Sequence, residues 1–225
     1  TQGRSYFRYN SKDNVGNTQA IVSNTLDIDL VSPTYVSYSV SGCDYTSGSD
    51  CWVKAGTSTT HKIKHTDATS TPNIQYLTFT KDACSPNNCP ANEEIKSYIY
   101  VDSASFNDWM VNNAYMDITS AACVGSCTGT TAEENWQVTT GTTEGSFKVW
   151  TFLYDQAMLG LGYTYVNWWY KIDTQTPTTT DNVPLGWQPS QIAVTLTPSD
   201  PALSSGVAWT KYCTDTTDAC TPSTT

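Results

Sequence analysis

The chain has 225 residues, of which 38% are hydrophobic, 12% aromatic and only 14% charged, with 14 Tyr and 8 Trp. That length can bury a substantial core, and the aromatic, hydroxyl-rich composition excludes a disordered polymer while favouring β structure, in which flat side chains pack across strands. A net charge of −10 disfavours nucleic acid and anionic membrane as partners, and the longest apolar tract, residues 157–169, is too short and too interrupted to span a bilayer.

The sequence opens at Thr1 without a basic segment leading into an apolar run, so a mature chain with any secretion signal already removed is expected. Residues 5–10, SYFRYN, alternate Tyr6 and Arg8 with Phe7 and Tyr9, which gives an extended strand one aromatic set per face. Residues 18–30 then pass from an apolar patch into strict alternation, Leu26, Ile28 and Leu30 against Asp27 and Asp29, the pattern of a half-buried strand. Residues 34–40, 74–80 and 95–101 repeat the theme. Residues 103–116 differ: Ser103 or Ser105 offers a cap, and Phe106, Trp109 and Met110 fall at helical spacing, so one short helix is expected there. Residues 137–139, 145–154, 163–173, 191–197 and 207–212 return to strand composition, whereas 174–189, with three prolines and a threonine run, reads as an extended surface connection. No internal period or compositional break divides the chain. The expected fold is mainly β: a single, jelly-roll-like β-sandwich over residues 13–225 with decorated loops, preceded by an arm at 1–12.

Eight cysteines form four neighbouring couples, Cys43 with Cys51, Cys84 with Cys89, Cys123 with Cys127 and Cys213 with Cys220. Turn-forming residues lie between the members of each couple, so local pairing that staples loop tips is favoured among the 105 connectivities that eight cysteines allow. None is a Cys-x-x-Cys knuckle, which argues against zinc. Cysteine usage of this kind belongs to an oxidising compartment, and an extracellular or cell-surface location is expected.

Catalytic constellations are sparse. His61 and His65 lie in HKIKH, flanked by lysines and without a glutamate to act as base, so an exposed polar strand is preferred to a metal site. No Gly-x-Ser-x-Gly elbow occurs. Carboxylate pairs for a glycosidase are limited to Asp27 with Asp29, explained by outward alternation, and Glu133 with Glu134, which point apart on a strand. Residues 45–53 and 157–163 resemble fragments of pepsin-like aspartic proteases, but Tyr45 stands where that family has its catalytic Asp. Trp168, Trp169 and Tyr170 could stack on sugar rings; on a strand, successive Trp face opposite ways, so at least one is expected in the core. No enzyme activity and no cofactor are expected. Scattered carboxylates would suit calcium, with no motif behind them.

The first thirty residues carry a resemblance. Tyr9, Asn10, Ser11, Lys12 and Asp13 precede Ala20, and Asn24, Thr25, Leu26, Asp27 and Ile28 follow as a strand, an order that resembles the start of the TasA/camelysin biofilm-matrix proteins and their archaeal bundling-pilus relatives. Asn24 stands where the family has glycine. The resemblance implies a secreted β-sandwich that polymerises into extracellular fibres, with Ser5, Tyr6, Phe7, Arg8, Tyr9 and Asn10 as the strand that completes a neighbour's sheet. The leading expectation is therefore a structural subunit of an extracellular filament, pilus or tube joined by donor-strand complementation, with identical subunits as partners and glycans or neighbouring filaments as further contacts. A secreted carbohydrate-binding or adhesive module ranks second and a glycoside hydrolase third.

Overall fold

A computed structural model of the chain describes residues 2–90, 93–100, 105–108, 114–124, 127, 129–201 and 203–223. In chain order the strands are β1 (Gly3–Tyr9), β2 (Val22–Ile28), β3 (Thr34–Ser41), β4 (Tyr45–Ser47), β5 (Asp50–Val53), β6 (Ser58–Thr66), β7 (Pro72–Lys81), β8 (Glu94–Tyr100), β9 (Ser105–Asp108), β10 (Met116–Cys123), β11 (Thr131–Thr140), β12 (Gly145–Asp155), β13 (Thr164–Ile172), β14 (Thr178–Asp181) and β15 (Leu196–Ser199). A four-stranded sheet, β10-β11-β6-β3, packs on a seven-stranded one, β4-β5-β13-β12-β7-β8-β9. The mainly β sandwich expected from composition is thus the fold.

The two layers meet through the alternation of their strands. In β11 and β12 every second residue is buried, so Ala132, Trp136 and Val138 of one sheet and Phe147 and Val149 of the other enter a shared core. His61 of β6 sits between Phe79 of β7 and Tyr170 of β13, with ring centroids at 5.3 and 5.2 Å. Tyr38 of β3 lies 5.9 Å from Trp168 of β13 and closes that side of the core. Burying each of the largest of these side chains contributes about 1.5–3 kcal/mol. Among the described residues all neighbouring strands are antiparallel except β5 and β13, which run parallel with Cys51 opposite Tyr170 and Val53 opposite Ile172.

The four cysteine couples are disulfides as their spacing foretold: Cys43–Cys51, Cys84–Cys89, Cys123–Cys127 and Cys213–Cys220, with Cα atoms 5.4, 5.1, 6.0 and 6.2 Å apart. The first ties the segment after β3 in one sheet to β5 in the other. Four disulfides fit an oxidising compartment. No helix among the described residues is long and apolar enough to cross a membrane.

Several local expectations are corrected. The helix expected over 103–116 is absent where the stretch is described: Ser105–Asp108 is a strand that extends the large sheet, with Ser105 opposite Tyr100 and Asp108 opposite Ser97, and β10 begins at Met116. Residues 103–104 and 109–113 lie outside the described residues. A waiting sheet edge offers backbone partners that a single helical turn does not, and serine and aspartate suit a turn as well as a cap. The strand expected at 191–197 starts only at Leu196, and 207–211 is irregular; the surface connection at 174–189 contains β14, paired with β15. His61 and His65 are not on an exposed polar face: both are fully buried, and the lysines between them point outward.

Candidate functional site

Two strand pairs lie outside the sandwich, β14–β15 and the β1–β2 ribbon, and the ribbon is the one that contains the candidate joining strand. Its strands pair antiparallel from Gly3 opposite Ile28 to Tyr9 opposite Val22, and they form a two-stranded sheet separate from the sandwich. Asp13 closes the far end, its Oδ1 accepting from the backbone N–H groups of Val15 and Asn17 at 3.0 and 2.8 Å.

Register gives the ribbon two unlike faces, because residues directly opposite each other share a side. One carries Ser5, Phe7, Tyr9, Val22, Asn24 and Leu26; the other carries Arg4, Tyr6, Arg8, Ser23, Thr25 and Asp27. On the polar face the Arg4 guanidinium forks onto Asp27, which holds that carboxyl below the usual carboxylate range. On the apolar face Phe7 and Tyr9 touch, with ring centroids 5.8 Å apart. Yet Phe7 is 65% exposed, Leu26 53% and Tyr9 43%. An isolated two-stranded ribbon is marginal in water, and an apolar face of this kind needs a cover.

Of the candidate strand residues, Ser5 through Tyr9 lie in β1 and Asn10 follows it directly. One edge of β1 is taken by β2; among the described residues the other is not paired in a sheet. A second open edge belongs to β3, the outer strand of the small sheet. Beneath it Tyr35, Tyr38 and Val40 pack on the core but are only half-buried, and β13, which lies opposite β3, is followed in the large sheet by β5 and β4.

The other candidate residues fall into structural settings. Glu133 faces outward 3.2 Å from Lys62, whereas Glu134 faces the core, where burial pushes its pKa well up. His61 is held neutral by burial, with a pKa near 3; its Nδ1 contacts the Tyr38 hydroxyl and its Nε2 lies 3.0 Å from Thr59 Oγ1. His65 is likewise lowered to about 3 by burial. Neither imidazole is placed to ligate an ion at the surface. Trp168 packs on the core, while Trp169 lies under Lys148 and Lys171, at 5.4 and 5.9 Å, which occupy a face that a sugar ring would need.

Two groups of side chains have metal-ligand geometry among the described residues: Cys123, Cys127 and Glu134, and Asp29, Asp67 and Asp155. In the first the two sulfurs are bonded to each other, so no thiolate is available. The second joins the end of β2, the end of β6 and the end of β12; sequence reading drafted Asp29 only as an outward strand residue and missed the other two, whose separation along the chain hides their meeting. A scan against protein-family models and a search of curated proteins both return no match for this chain.

Proposed function

We propose that the protein is a non-catalytic structural subunit of an extracellular filament, pilus or tube, in which the β1 edge of one copy adds to an open sheet edge of the next. The observation that carries this reading is the ribbon's apolar face, with Phe7, Tyr9 and Leu26 in water on a paired, regular strand scaffold. Backbone pairing along an open edge supplies affinity and alternate side chains supply register. The edge of β3 is the acceptor we assign: Tyr35, Tyr38 and Val40 are half-covered there, so an added apolar strand would finish burying them. The likeness of the first thirty residues to the TasA/camelysin proteins and bundling pili supports the same arrangement. Residues Ser5 to Asn10 are the joining segment, identical subunits the partners, and the cell surface the place of assembly.

The test is the chain lacking residues 1–10 beside a Phe7→Ser/Tyr9→Ser double variant, each imaged by negative-stain electron microscopy and sized by sedimentation. Polymers from the parent chain and only monomers from both variants, with β circular dichroism retained, are expected. Unchanged polymers in both variants, or a strictly monomeric parent at all concentrations, overturn the proposal.

A further inference from the structure

Where the ribbon meets the sandwich, three chain segments distant in sequence each deliver an aspartate. Asp29 follows β2, Asp67 follows β6 and Asp155 ends β12, and one carboxylate oxygen of each lies within 4.8 Å of the others. Asp67 is 4% exposed and Asp155 0%, so two of these carboxylates are buried.

The way each carboxylate is held divides its two oxygens. Asp29 Oδ1 accepts from Val31 N–H at 3.0 Å, Asp67 Oδ1 from Thr69 and Ser70 N–H at 2.7 and 2.9 Å, and Asp155 Oδ1 from Leu159 N–H at 2.9 Å. The second oxygen of all three is out of water and has no hydrogen-bond partner, and the Ser70 hydroxyl is in the same state. Ser70 lies close enough to Asp29 to lower that carboxyl's pKa, without reaching hydrogen-bond geometry to Oδ2. No ion pair among the described residues compensates any of the three; the nearby Arg4 is engaged by Asp27. Burial first, and then the charges of Asp29 and Asp67, raise the Asp155 pKa. Buried carboxylate oxygens anchored by backbone on one side only, with the Ser70 hydroxyl beside Asp29 as the neighbouring polar group, are a costly arrangement unless a cation joins them.

We propose that Asp29, Asp67 and Asp155 form a calcium site that locks the base of the β1–β2 ribbon to the sandwich. Calcium takes oxygen ligands at about 2.3–2.6 Å, so two ligands on opposite sides of the ion stand about 4.6–5.2 Å apart, and the observed spread fits inside one coordination sphere. All-oxygen, all-carboxylate chemistry favours a hard cation over zinc or copper. Ser70 Oγ, beside Asp29 and without a hydrogen-bond partner, is the candidate for a neutral fourth ligand. Because β6 belongs to the small sheet and β12 to the large one, the ion would tie the ribbon to both layers. This holds whether or not the chain polymerises.

Calorimetric titration of the full-length, chelator-treated chain with calcium chloride at neutral pH tests it, together with thermal unfolding in calcium and in EDTA. One ion per chain and a higher melting temperature in calcium are expected. Asp155→Asn and Asp29→Asn keep an Oδ1 acceptor for Leu159 and Val31; each should weaken calcium binding about tenfold or more, because affinity follows ligand charge. Their melting temperatures in EDTA should equal or exceed the parent's, since one repelling charge is gone. No calcium heat and no thermal shift in the parent chain, or affinity unchanged in both variants, overturns the site. Asp29, the half-buried member, serves as the readout should Asp155→Asn fold poorly.

Discussion

Arg4 grips Asp27 across the ribbon with two parallel bonds, Nε to Oδ1 at 2.7 Å and Nη2 to Oδ2 at 2.9 Å, directly opposite each other in the β1–β2 register. The pair marks the polar face, so the apolar face must be the other one. Both groups are in water, so the bond contributes to the ribbon locally and little to the whole protein. Arg4→Ala should leave the sandwich's melting temperature unchanged while hydrogen exchange at residues 3–9 and 22–28 speeds up. Asp27 is depressed in the folded chain, so its contribution is present above the ordinary carboxylate pKa, near 4, and is lost as pH falls through the lowered value. Parent and variant should therefore differ in ribbon exchange at pH 7 and converge in strong acid.

The buried histidines make the core acid-sensitive. Burial lowers both His61 and His65 to about 3, whereas in the unfolded chain they titrate near 6.5. Between those values the unfolded state binds more protons, so their stabilisation is complete above about pH 6.5 and drains away as pH falls toward 3. With two such groups the slope reaches at most about 2.7 kcal/mol per pH unit near pH 5. Urea midpoints measured from pH 7 to 4 should fall, and His61→Gln or His65→Gln should roughly halve the slope. A midpoint independent of pH in the parent would contradict the burial of both imidazoles as neutral rings.

Much of this fold is legible in the sequence because burial on one face writes a period of two. The strands at 22–28, 72–81 and 145–155 lie in segments whose alternation or β-branched composition already marks them, and the disulfide pairs are marked by proximity and turn residues. Two kinds of feature are not written locally. Ser105–Asp108 becomes a strand because a neighbouring edge is free, a tertiary fact invisible in SFND. Asp67 and Asp155 look like ordinary strand ends, and only the packing of β6 against β12 brings them to Asp29. HKIKH misleads for a related reason: it is a strand, as expected, but its two histidines face inward, where Tyr38, Thr59 and Thr151 receive them, and not outward.

The disulfides should differ in consequence. Cys51 is buried in the core and Cys43–Cys51 links two sheets, whereas Cys213–Cys220 closes an exposed loop at the C-terminal end. A sequence separation of 8 gives a loop-closure contribution of about 2–3 kcal/mol for the first bond. Cys43→Ser/Cys51→Ala should lower stability by at least about that amount in denaturant titrations. Cys213→Ser/Cys220→Ser should leave the main transition in place, because nothing in the buried core depends on that loop.

Glu134 is the one carboxylate turned fully into the core of β11, in file with Ala132, Trp136 and Val138. Neither of its oxygens has a hydrogen-bond partner, and desolvation, assisted by the adjacent Glu133 charge, raises its pKa well above the ordinary 4.5. For a raised carboxyl the sign is opposite to that of the histidines: the folded state holds the extra proton, so the contribution is full below about pH 4.5 and is lost as pH climbs through the elevated folded value. Removing the group should therefore help most in alkali. Glu134→Met, close in volume and without polar atoms, should stabilise the protein by about 1–3 kcal/mol at pH 8 and by less at pH 4, since an unsatisfied buried polar group is replaced by packing. Guanidinium titrations of parent and variant at the two pH values measure this. A variant less stable than the parent at pH 8 would contradict the burial of Glu134 without a compensating partner.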